Sequence, residues 1–534
     1  MNTQNKSQYD AVIIGGGHNG LVNAAYLAKE GLKVAILEKR SIVGGCAITE
    51  EPWKGYKVST LSYVNSLFHP QIIRDLDLKS CGFEMLPRNP SSFTPFPDGR
   101  SLLLGPDKAL VHKEISKFSK KDADAYPEYE AMLGEMSEIL EPMMAECPPN
   151  KMSFSDISRF GVLGFKKRHS IRKNWAELIR FLSGSASDML EQWFESEQLK
   201  VTLATDAIIG ANASPRSPGT AYVLFHHVMG ECNGVKGVWG YMRGGMGGLT
   251  QSLAKRCQAL GVDIYTNTGV TDIITVNGRA TGAVTEQGRE FAARILVSCA
   301  DPNITFNHLI DKKELPEEFV RQVARINYDS ASVKINLALD KLPDFSALPG
   351  SQLGPQHKGT IHICPDLQYI EDAYADSVAG RPSTRPILEC TIPTTCDETL
   401  APEGKHIMNI FSQYGPNKLR PGLSWANERE AYGDRVLDIM EEYAPGFKSS
   451  VIHRQIITPE DLENEYNLTG GNIFHGRMNL DQMFNMRPVP GYADYRTPIR
   501  GLYLCGSGAH PGGGVMGTPG WNASKAIKHD IARM

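Results

Sequence analysis

Three glycines and a glutamate near the N-terminus have the residue types and the spacing of a dinucleotide-binding loop. Gly15, Gly17 and Gly20 follow the apolar run 11–14 with the spacing G-x-G-x-x-G, and Glu38 ends the next apolar run. The first glycine permits a tight turn, and the second lets the backbone approach a pyrophosphate at a helix N-terminus. The third lets helix and strand pack closely, while the carboxylate can accept hydrogen bonds from a ribose. The segment therefore predicts a βαβ unit that binds a dinucleotide.

A second glycine pair follows the acidic strand end, in the segment RSIVGGCA at 40–47. Because Gly44 and Gly45 have no side chains, this loop can lie against a diphosphate, and enzymes that bind only NAD have no need of it. Flavoproteins of the glutathione-reductase-like superfamily carry such a pair at this place, so the resemblance implies FAD. Arg40, which begins the segment, joins the glycines as a candidate cofactor-binding residue.

A third glycine loop lies near the C-terminus, where the run Gly501 to Cys505 leads into Gly506, Ser507 and Gly508. A strand that ends in such a loop brings backbone N–H groups to a polar ligand, here the ribityl chain and ring of a flavin. The superfamily often has aspartate after the first glycine of this loop, and Ser507 stands there instead. Gly506 and Ser507 are candidate cofactor-binding residues, and the ribityl contact is left open.

Longer blocks of sequence indicate a family. They are LEKRSIVGGCAITEE at 37–51, QWFESEQLKVTLATDAIIGA at 192–211, VWGYMRGGMGGL at 238–249 and LYLCGSGAHPGGGVMG at 502–517. On these blocks the chain resembles the carotenoid/retinoid oxidoreductase family, the phytoene desaturase-like flavoproteins, over almost its whole length. The resemblance implies an FAD-dependent oxidoreductase with an apolar-substrate domain. It also implies that the backbone of Val270 frames the adenine.

The resemblance further implies an α/β fold with a glutathione-reductase-like, Rossmann-type FAD-binding domain assembled from separate segments. We expect this domain to comprise residues 1–86, 237–306 and 495–534. An α+β substrate domain would then comprise residues 87–236 and 307–494. The length of 534 residues also favours at least two domains.

Two local patterns refine this organisation. The glycines at 244–248 are followed by a helix pattern in which Leu249, Leu253, Ala254 and Cys257 share one face. This is not a second nucleotide site, because no apolar strand leads into the glycines and the next strand ends without an acid. Turns at 277–278 and 287–288 then predict a meander of three strands, 270–276, 280–285 and 291–297.

Composition narrows the functional classes. The chain is 41% hydrophobic and 22% charged with a net charge of −4 at pH 7, and it has no basic patch interleaved with aromatic residues, so we expect no nucleic-acid partner. Its longest apolar runs are far shorter than a membrane span. The polar N-terminal tail, without an apolar or Arg-rich targeting pattern, predicts a cytoplasmic protein. The sequence leaves the oligomeric state open, with a homodimer among the alternatives.

The segment 160–182, FGVLGFKKRHSIRKNWAELIRFL, places a basic cluster between apolar residues. Such a segment can rest on an anionic bilayer, as a peripheral enzyme that takes an apolar substrate from a membrane would require. The alternative is a solvated basic loop before a packed helix. Upstream, apolar residues recur at helical spacing over 129–143 with three methionines, which favours either plain core or a pliable pocket.

The ten cysteines form no C-x-x-C pair, and no cluster has zinc-ligand spacing, so no metal site is predicted. Disulfide reductases place two cysteines five residues apart just after the second glycine pair. Cys46 follows Gly45 here, but Glu51 stands five residues further on. Cys46 is therefore interpreted as a small packing residue beside the cofactor rather than half of a redox dithiol.

Four histidines stand in motif-like settings and are the candidate general bases. They are His226 and His227 in YVLFHHVMG, His475 in NIFHGRM, and His510 just before the last glycine loop. The position of His510 favours a role beside the cofactor, and each of the four is alternatively a structural histidine. Arg477 and Arg487 flank a Met-rich turn and would suit either an acidic head group or surface ion pairs.

The lack of a second dinucleotide motif indicates that electrons enter from an organic substrate. We expect hydride transfer from a hydrophobic, lipid- or polyene-like substrate to flavin N5, with oxygen or a quinone as acceptor. Two alternatives stay open. One is a redox-neutral isomerase or saturase that uses reduced flavin without net turnover, and the other is a non-catalytic binding or assembly factor that retains the flavoprotein fold.

Overall fold

A computed structural model describes residues 6–148 and 175–533 of the chain. Residues 160–174 of the basic segment 160–182 and residues 1–5 of the N-terminal tail lie outside these ranges. The strands, in chain order, are β1 (Lys6–Ile14), β2 (Val34–Leu37), β3 (Thr49–Trp53), β4 (Tyr56–Ser59), β5 (Met85–Pro87), β6 (Ser92–Pro95), β7 (Ser101–Leu104), β8 (Glu231–Cys232), β9 (Val235–Lys236), β10 (Gly240–Met242), β11 (Asp263–Tyr265), β12 (Val270–Val276), β13 (Arg279–Thr285), β14 (Glu290–Ser298), β15 (Ser332–Leu339), β16 (Thr360–Ile363), β17 (Ile387–Thr391), β18 (His406–Gln413), β19 (Val451–Ile457) and β20 (Leu502–Leu504).

The α-helices cover the faces of the sheets and form the region between them. In chain order they are α1 (His18–Lys29), α2 (Pro70–Asp75), α3 (Lys108–Ser116), α4 (Lys120–Met144), α5 (Trp175–Ser183), α6 (Ala186–Trp193), α7 (Glu197–Ala204), α8 (Thr220–Val228), α9 (Gly247–Ala259), α10 (Glu317–Ala324), α11 (Leu367–Val378), α12 (Trp425–Tyr443), α13 (Phe447–Ser450), α14 (Pro459–Tyr466) and α15 (Thr518–Ile531). Over the described ranges, none of them is long and apolar enough to cross a membrane.

The first sheet has the order β11-β2-β1-β14-β13-β12, with β20 also paired to β14. Its central strands are parallel, and β2, β20 and the carboxyl-terminal halves of β1 and β14 are buried, as expected for apolar runs covered on both faces. Their register places Ile14, Leu37, Ser298 and Leu504 in one row at the carboxyl edge. The residues that follow these four positions are therefore brought together at one edge of the sheet.

Helix α1 fills the crossover between β1 and β2 and packs against α9 and α15. The contact with α15 is close, since Nδ2 of Asn23 donates to the carbonyl of Gly520 at 3.0 Å and a Cβ on Gly520 would lie 2.1 Å from the carbonyl of Asn19. The antiparallel strands β12 to β14 form the predicted meander, with Asn277 and Gly278 at positive φ in its first turn. This parallel sheet with its crossover helix confirms the predicted α/β class.

The second sheet has the order β19-β15-β18-β17-β16-β6-β7 and is largely antiparallel. One face is apolar and packs on α12, whose Trp425, Tyr432, Val436 and Met440 are buried against it. The opposite face carries polar residues in alternation, for example Ser332, Lys334 and Asn336 on β15, and these are buried as well. The division of the chain into two domains stays a prediction.

Helix α4 contains the methionine pattern, and its contacts show whether these side chains lie in the core or line a pocket. Met132 and Met136 are buried in a cluster with the helices that follow, whereas Leu133 from the same helix lines the large cavity described below. Met132 and Met136 are thus core residues, and a neighbouring face of α4 forms a cavity wall. Met143, at the end of the helix, is 37% exposed and does not continue the buried face.

Candidate functional site

The three glycine loops meet at the carboxyl edge of the first sheet. Gly15 has φ +94°, the left-handed region that glycine tolerates, and its amide bonds to the carbonyl of Leu37 at 2.8 Å. The amide of Gly44 donates to the carbonyl of Gly16 at 2.8 Å, so the second loop is hydrogen-bonded to the first. Nδ2 of Asn19 lies 3.4 Å from Oγ of Ser507, which joins the third loop to the start of α1.

Glu38 is fixed by the first loop. Its Oε2 accepts the amide of Gly16 and its Oε1 accepts the amide of Arg40, each at 2.8 Å. Burial raises the pKa of this carboxyl, and the amide hydrogen bonds oppose that rise. The guanidinium of Arg40 lies over the ring of Tyr466 at 4.4 Å and pairs with Glu50 at 2.8 Å. The backbone thus orients the carboxylate before any ligand arrives.

A cavity of about 910 Å³ begins at these loops and extends to the second sheet. Of the candidate cofactor residues it is lined by Gly15, Gly17, Glu38, Arg40, Gly45, Val270 and Ser507. The other three candidates, Gly20, Gly44 and Gly506, lie outside the lining. They are packing glycines, because a Cβ would lie 2.3 Å from the carbonyl of Gly15 at Gly20, 2.7 Å from Oγ1 of Thr250 at Gly44, and 2.3 Å from the carbonyl of Cys299 at Gly506.

The lining near the loops fits a dinucleotide. Helix α1 starts at the cavity with no acidic residue in its first turn, so its positive end can face an anion. Nε2 of His18, Oδ1 of Asn19 and Nη1 of Arg40 are buried without a hydrogen-bond partner among the described residues. All three residues line the cavity. Buried polar atoms are rarely left unpaired, so these atoms are suited to a bound polar ligand.

Three of the four candidate histidines line the cavity. His226 is buried and His475 is half-buried, and burial lowers the pKa of each ring, to about 3 for His226. Both are therefore uncharged at neutral pH, with Nε2 of His226 and Nδ1 of His475 unpartnered among the described residues. His227 donates Nδ1–H to the carbonyl of Val223 at 2.8 Å and stacks on Trp239.

His510 lies outside the cavity lining. Its Nε2 contacts the carbonyl of Met143 at 3.2 Å, and burial lowers its pKa to about 4. It therefore sits where the last glycine loop packs on the end of α4. Sequence reasoning passed over His18 instead, although it follows Gly17 directly. His18 lines the cavity, and burial lowers its pKa to about 4.

The two arginines of the Met-rich turn have different settings. Arg477 pairs with Asp481 on the surface, as one alternative predicted. Arg487 fits neither alternative, because it is fully buried and donates to five backbone carbonyls, those of Phe474, Gly476, Arg477, Gln482 and Ser507. Arg487 therefore joins the Met-rich turn to the third glycine loop by hydrogen bonds. Burial lowers its pKa to about 10, so it stays charged at neutral pH.

The far end of the cavity has a polar side that sequence reasoning missed. We call it the polar wall and define it as Tyr63, Arg88, Asp206, Lys334, His362 and Glu389, all of which line the cavity. Burial raises the pKa of Asp206 to about 6, with Glu389 as a second cause, and burial lowers the pKa of Lys334 well below its usual range. The remaining lining is largely apolar and includes Leu61, Leu67, Leu133, Leu224, Phe411 and Phe474.

All ten cysteines are free. Burial raises the pKa of the Cys46 thiol to about 12, with the nearby Cys299 as a smaller cause, so Cys46 is protonated at neutral pH. The part of the chain that the structure describes holds no group of three or more side chains placed to bind a metal.

Fold and cleft together define a flavoprotein of the Rossmann type. The chain belongs to the flavin containing amine oxidoreductase family, which matches residues 20–379. Family membership identifies the cofactor as FAD, and the lining of the cleft at the glycine loops fits it. The residues that would hold it are the lining residues of the three glycine loops together with Glu38, Arg40 and Val270.

The chain is also similar to individual proteins of known sequence or structure. It is 44% identical to "Pyridine nucleotide-disulfide oxidoreductase domain-containing protein 2" of Rattus norvegicus, over 99% of this chain and 95% of the relative. It is 24% identical to the lycopene-forming phytoene desaturase of Pantoea ananas, over 95% and 96%. The crystal structure of an oxidoreductase from Methanosarcina mazei shares the fold, with a TM-score of 0.58, 19% identity, and coverage of 97% and 99%. The predicted resemblance is confirmed.

Proposed function

We propose that this chain is an FAD-dependent oxidoreductase that oxidises a hydrophobic, lipid- or polyene-like substrate by desaturation or a related reaction. The observation that carries the proposal is the continuity of the cavity. One volume of about 910 Å³ is lined both by the cofactor residues Gly15 and Glu38 and by apolar residues such as Leu133 and Leu224. This is near the upper end of the roughly 300–1,000 Å³ typical of small-molecule pockets.

When bound, FAD supplies a hydride acceptor at N5, and oxygen or a quinone then takes the electrons. The residues of this chain have the remaining tasks. The apolar lining binds the body of the substrate and excludes water from the reacting atoms. His226 and His475 are uncharged, and each has one ring nitrogen without a hydrogen-bond partner among the described residues, so both are placed to accept a proton. The named activity of the phytoene desaturase relative, desaturation of a polyene, supports this substrate class.

The test is anaerobic titration of the FAD-loaded protein with polyenes and lipids while the visible flavin band is recorded. Bleaching by an apolar substrate, and recovery of the band on adding oxygen or a quinone, is the expected result. Leu133→Gln places an amide in the apolar lining and should weaken substrate binding while flavin content is unchanged. Leu110→Gln is the control, because Leu110 is 37% exposed on α3 and lies outside the lining.

The two other hypotheses give different results in the same titration. A redox-neutral isomerase or saturase would leave oxidised flavin unbleached and convert substrate only after the flavin had been reduced. A binding or assembly factor would leave the flavin unbleached and would convert no substrate with either oxidised or reduced flavin. Either result contradicts the oxidoreductase proposal.

We propose in addition that the substrate reaches the cavity from a membrane surface. Trp175 and Ile179 lie one turn apart on α5 and are 58% and 47% exposed, next in sequence to the basic cluster. Apolar side chains beside basic ones are typical of peripheral membrane contact. Co-sedimentation with anionic vesicles, lost on Trp175→Ser with Ile179→Ser, is expected. Equal recovery of the wild type and the double variant in the supernatant would contradict this membrane contact. Cytoplasmic location and a homodimer stay predictions.

A further inference from the structure

We propose that the polar wall is a subsite for the hydroxyl head of an apolar alcohol. The inference rests on the proposed function, because it takes the same cavity as the substrate chamber. It goes further in one respect, since a pure hydrocarbon would have no group to pair with this wall. The wall also has hydrogen-bonding groups without a partner among the described residues.

The centre of the wall is set by strand register. Lys334 and Glu389 each pair with Phe411 on β18, and His362 pairs with Glu389 across β16 and β17. Lys334, Phe411, Glu389 and His362 thus form one row across four neighbouring strands. The row lines the cavity, on the sheet face opposite to α12.

The hydrogens in this row can be assigned from their partners. The hydroxyl of Thr205 donates to the carbonyl of Thr202 at 2.8 Å. Nδ1 of His362 lies 3.1 Å from the same hydroxyl oxygen, so Nδ1 carries the hydrogen and donates it. Nε2 is then the ring nitrogen that remains for a ligand. It has no hydrogen-bond partner within the described ranges.

Glu389 supplies an unused acceptor. Its Oε2 accepts the hydroxyl of Tyr63 at 3.3 Å. Its Oε1 lies 3.4 Å from Nδ1 of His362, whose hydrogen goes to Thr205, and is without a hydrogen-bond partner in the described chain. Glu389 is only 5% exposed. A buried carboxylate oxygen beside a cavity is best paired by a donor that the ligand brings.

Donors on the same wall are available for the oxygen of the ligand. Arg88 uses Nε on the carbonyl of Trp239 and Nη1 on Oγ1 of Thr360, which commits two of its five N–H groups. Nζ of Lys334 donates to the amide oxygens of Asn336 and Asn409, which leaves one of its three hydrogens when it is protonated. The wall therefore offers both acceptors and donors.

Charge then selects among polar head groups. Arg88 and Lys334 oppose Asp206 and Glu389 in formal charge, and burial shifts Lys334 and Asp206 toward their uncharged forms together, so the wall has no surplus charge to neutralise a charged ligand. A carboxylate head would lie beside two acids, and an ammonium head would lie beside two bases. A hydroxyl is uncharged, donates one hydrogen bond and accepts others, and so matches every open position at the lowest desolvation cost.

The experiment compares four matched probes: geranylgeraniol, its methyl ether, the parent hydrocarbon and geranylgeranylamine. Binding to FAD-loaded protein is measured by equilibrium dialysis without oxygen, with the flavin reduced beforehand so that substrate oxidation does not consume the probe. The alcohol should bind about tenfold more tightly than the ether or the hydrocarbon. Equal affinity for alcohol and ether, tighter binding of the amine, or no binding of any probe would overturn the inference.

Variants locate the effect. Glu389→Gln keeps the side-chain size and should remove most of the preference for the alcohol while hydrocarbon affinity is retained. His362→Asn is a second variant for the case that the first does not fold. Glu442→Gln is the matched control, because Glu442 pairs with Arg385 on the surface, outside the cavity lining. An unchanged preference in both wall variants contradicts the assignment.

Failure of this inference is distinguishable from failure of the proposed function. Anaerobic bleaching by a hydrocarbon polyene, together with no preference for the alcohol, would support the oxidoreductase and overturn the hydroxyl subsite. Preferential binding of the alcohol without bleaching by any apolar compound would support the subsite and contradict the oxidoreductase.

Discussion

The backbone amide of Gly16 donates a hydrogen bond of 2.8 Å to Oε2 of Glu38, twenty-two residues further along the chain. This bond joins the glycine loop after β1 to the acid at the end of β2, so the two halves of the dinucleotide site are held in one geometry. The amide of Arg40 holds the other carboxylate oxygen. The cofactor site is therefore organised by the backbone as well as by the lining side chains.

Replacement of Glu38 by glutamine tests this arrangement. The amide group of glutamine has one acceptor oxygen, so its NH₂ would face one of the two backbone donors. We expect FAD affinity to fall by about 1–3 kcal/mol, roughly fivefold to 150-fold. Fluorescence titration of the flavin measures it. Glu51→Gln, at an exposed glutamate of β3, is the control, and an equal loss there would contradict the account.

Gly17→Asp should abolish flavin binding without unfolding the protein. A Cβ at Gly17 meets only ordinary contacts, 3.6 Å from Sγ of Cys299, so the loss would come from a carboxylate set against the diphosphate. Gly20→Ala should instead destabilise the fold, because its Cβ would lie 2.3 Å from the carbonyl of Gly15. Flavin content and thermal unfolding separate the two effects. Full flavin occupancy in Gly17→Asp would remove this loop from the site.

Arg487→Met should destabilise the protein by about 3–5 kcal/mol, since it leaves buried carbonyl groups of the Met-rich turn without their donor. The turn is fastened to the carbonyl of Ser507 through this guanidinium, so flavin release should occur at lower denaturant concentration as well. Arg477→Met, ten residues away at a surface ion pair, should cost about 1 kcal/mol or less. Equal unfolding midpoints for the two variants would contradict a structural role for Arg487.

Asp206 predicts a specific dependence of stability on pH. Its pKa is raised to about 6 in the folded state by burial and by Glu389, while His227, His362 and Arg88 oppose the rise. A raised carboxyl pKa means that stability is lost as pH increases through about 4 to 6. Asp206→Asn should therefore be more stable than the wild type by about 2–3 kcal/mol above about pH 7, with no difference below about pH 4.

Denaturant unfolding of the FAD-loaded proteins across this pH range provides the measurement. Asp188→Asn, at an exposed aspartate of α6, is the matched control. A variant at Asp206 that is less stable than the wild type at neutral pH would reverse the sign and show that the ionised carboxylate is stabilised in the fold.

Cys46→Ser should keep flavin binding and turnover, because a thiol with a pKa near 12 is neither a nucleophile nor a redox partner at neutral pH. Thiol titration of the unfolded protein should give the same number before and after substrate oxidation. Loss of thiols during turnover would indicate disulfide chemistry and contradict the interpretation of Cys46 as a packing residue.

Much of the first sheet is predictable because its signals are local. The apolar run before Gly15, the spacing to Gly20 and the acid at Glu38 each report on a short segment, and the turn at Asn277-Gly278 fixes its hairpin. Such signals depend on backbone conformation within a few residues. The structures they predict therefore do not depend on how the rest of the chain folds.

The polar wall was not predictable for the opposite reason. Alternation of Ser332, Lys334 and Asn336 with apolar residues on β15 reads as a strand with one face in water. Only the tertiary fold covers that face and turns it into a cavity wall. The backbone carbonyls that accept hydrogen bonds from Arg487 likewise come from residues 474–482 and 507, and no sequence spacing relates these residues to each other.

The visible absorption spectrum of freshly purified protein tests FAD binding and substrate oxidation together, and it is repeated after any colourless sample has been given FAD and the excess removed. We expect a bound flavin band that bleaches without oxygen when an apolar substrate is added. A protein that stays colourless and cannot retain added FAD would contradict it.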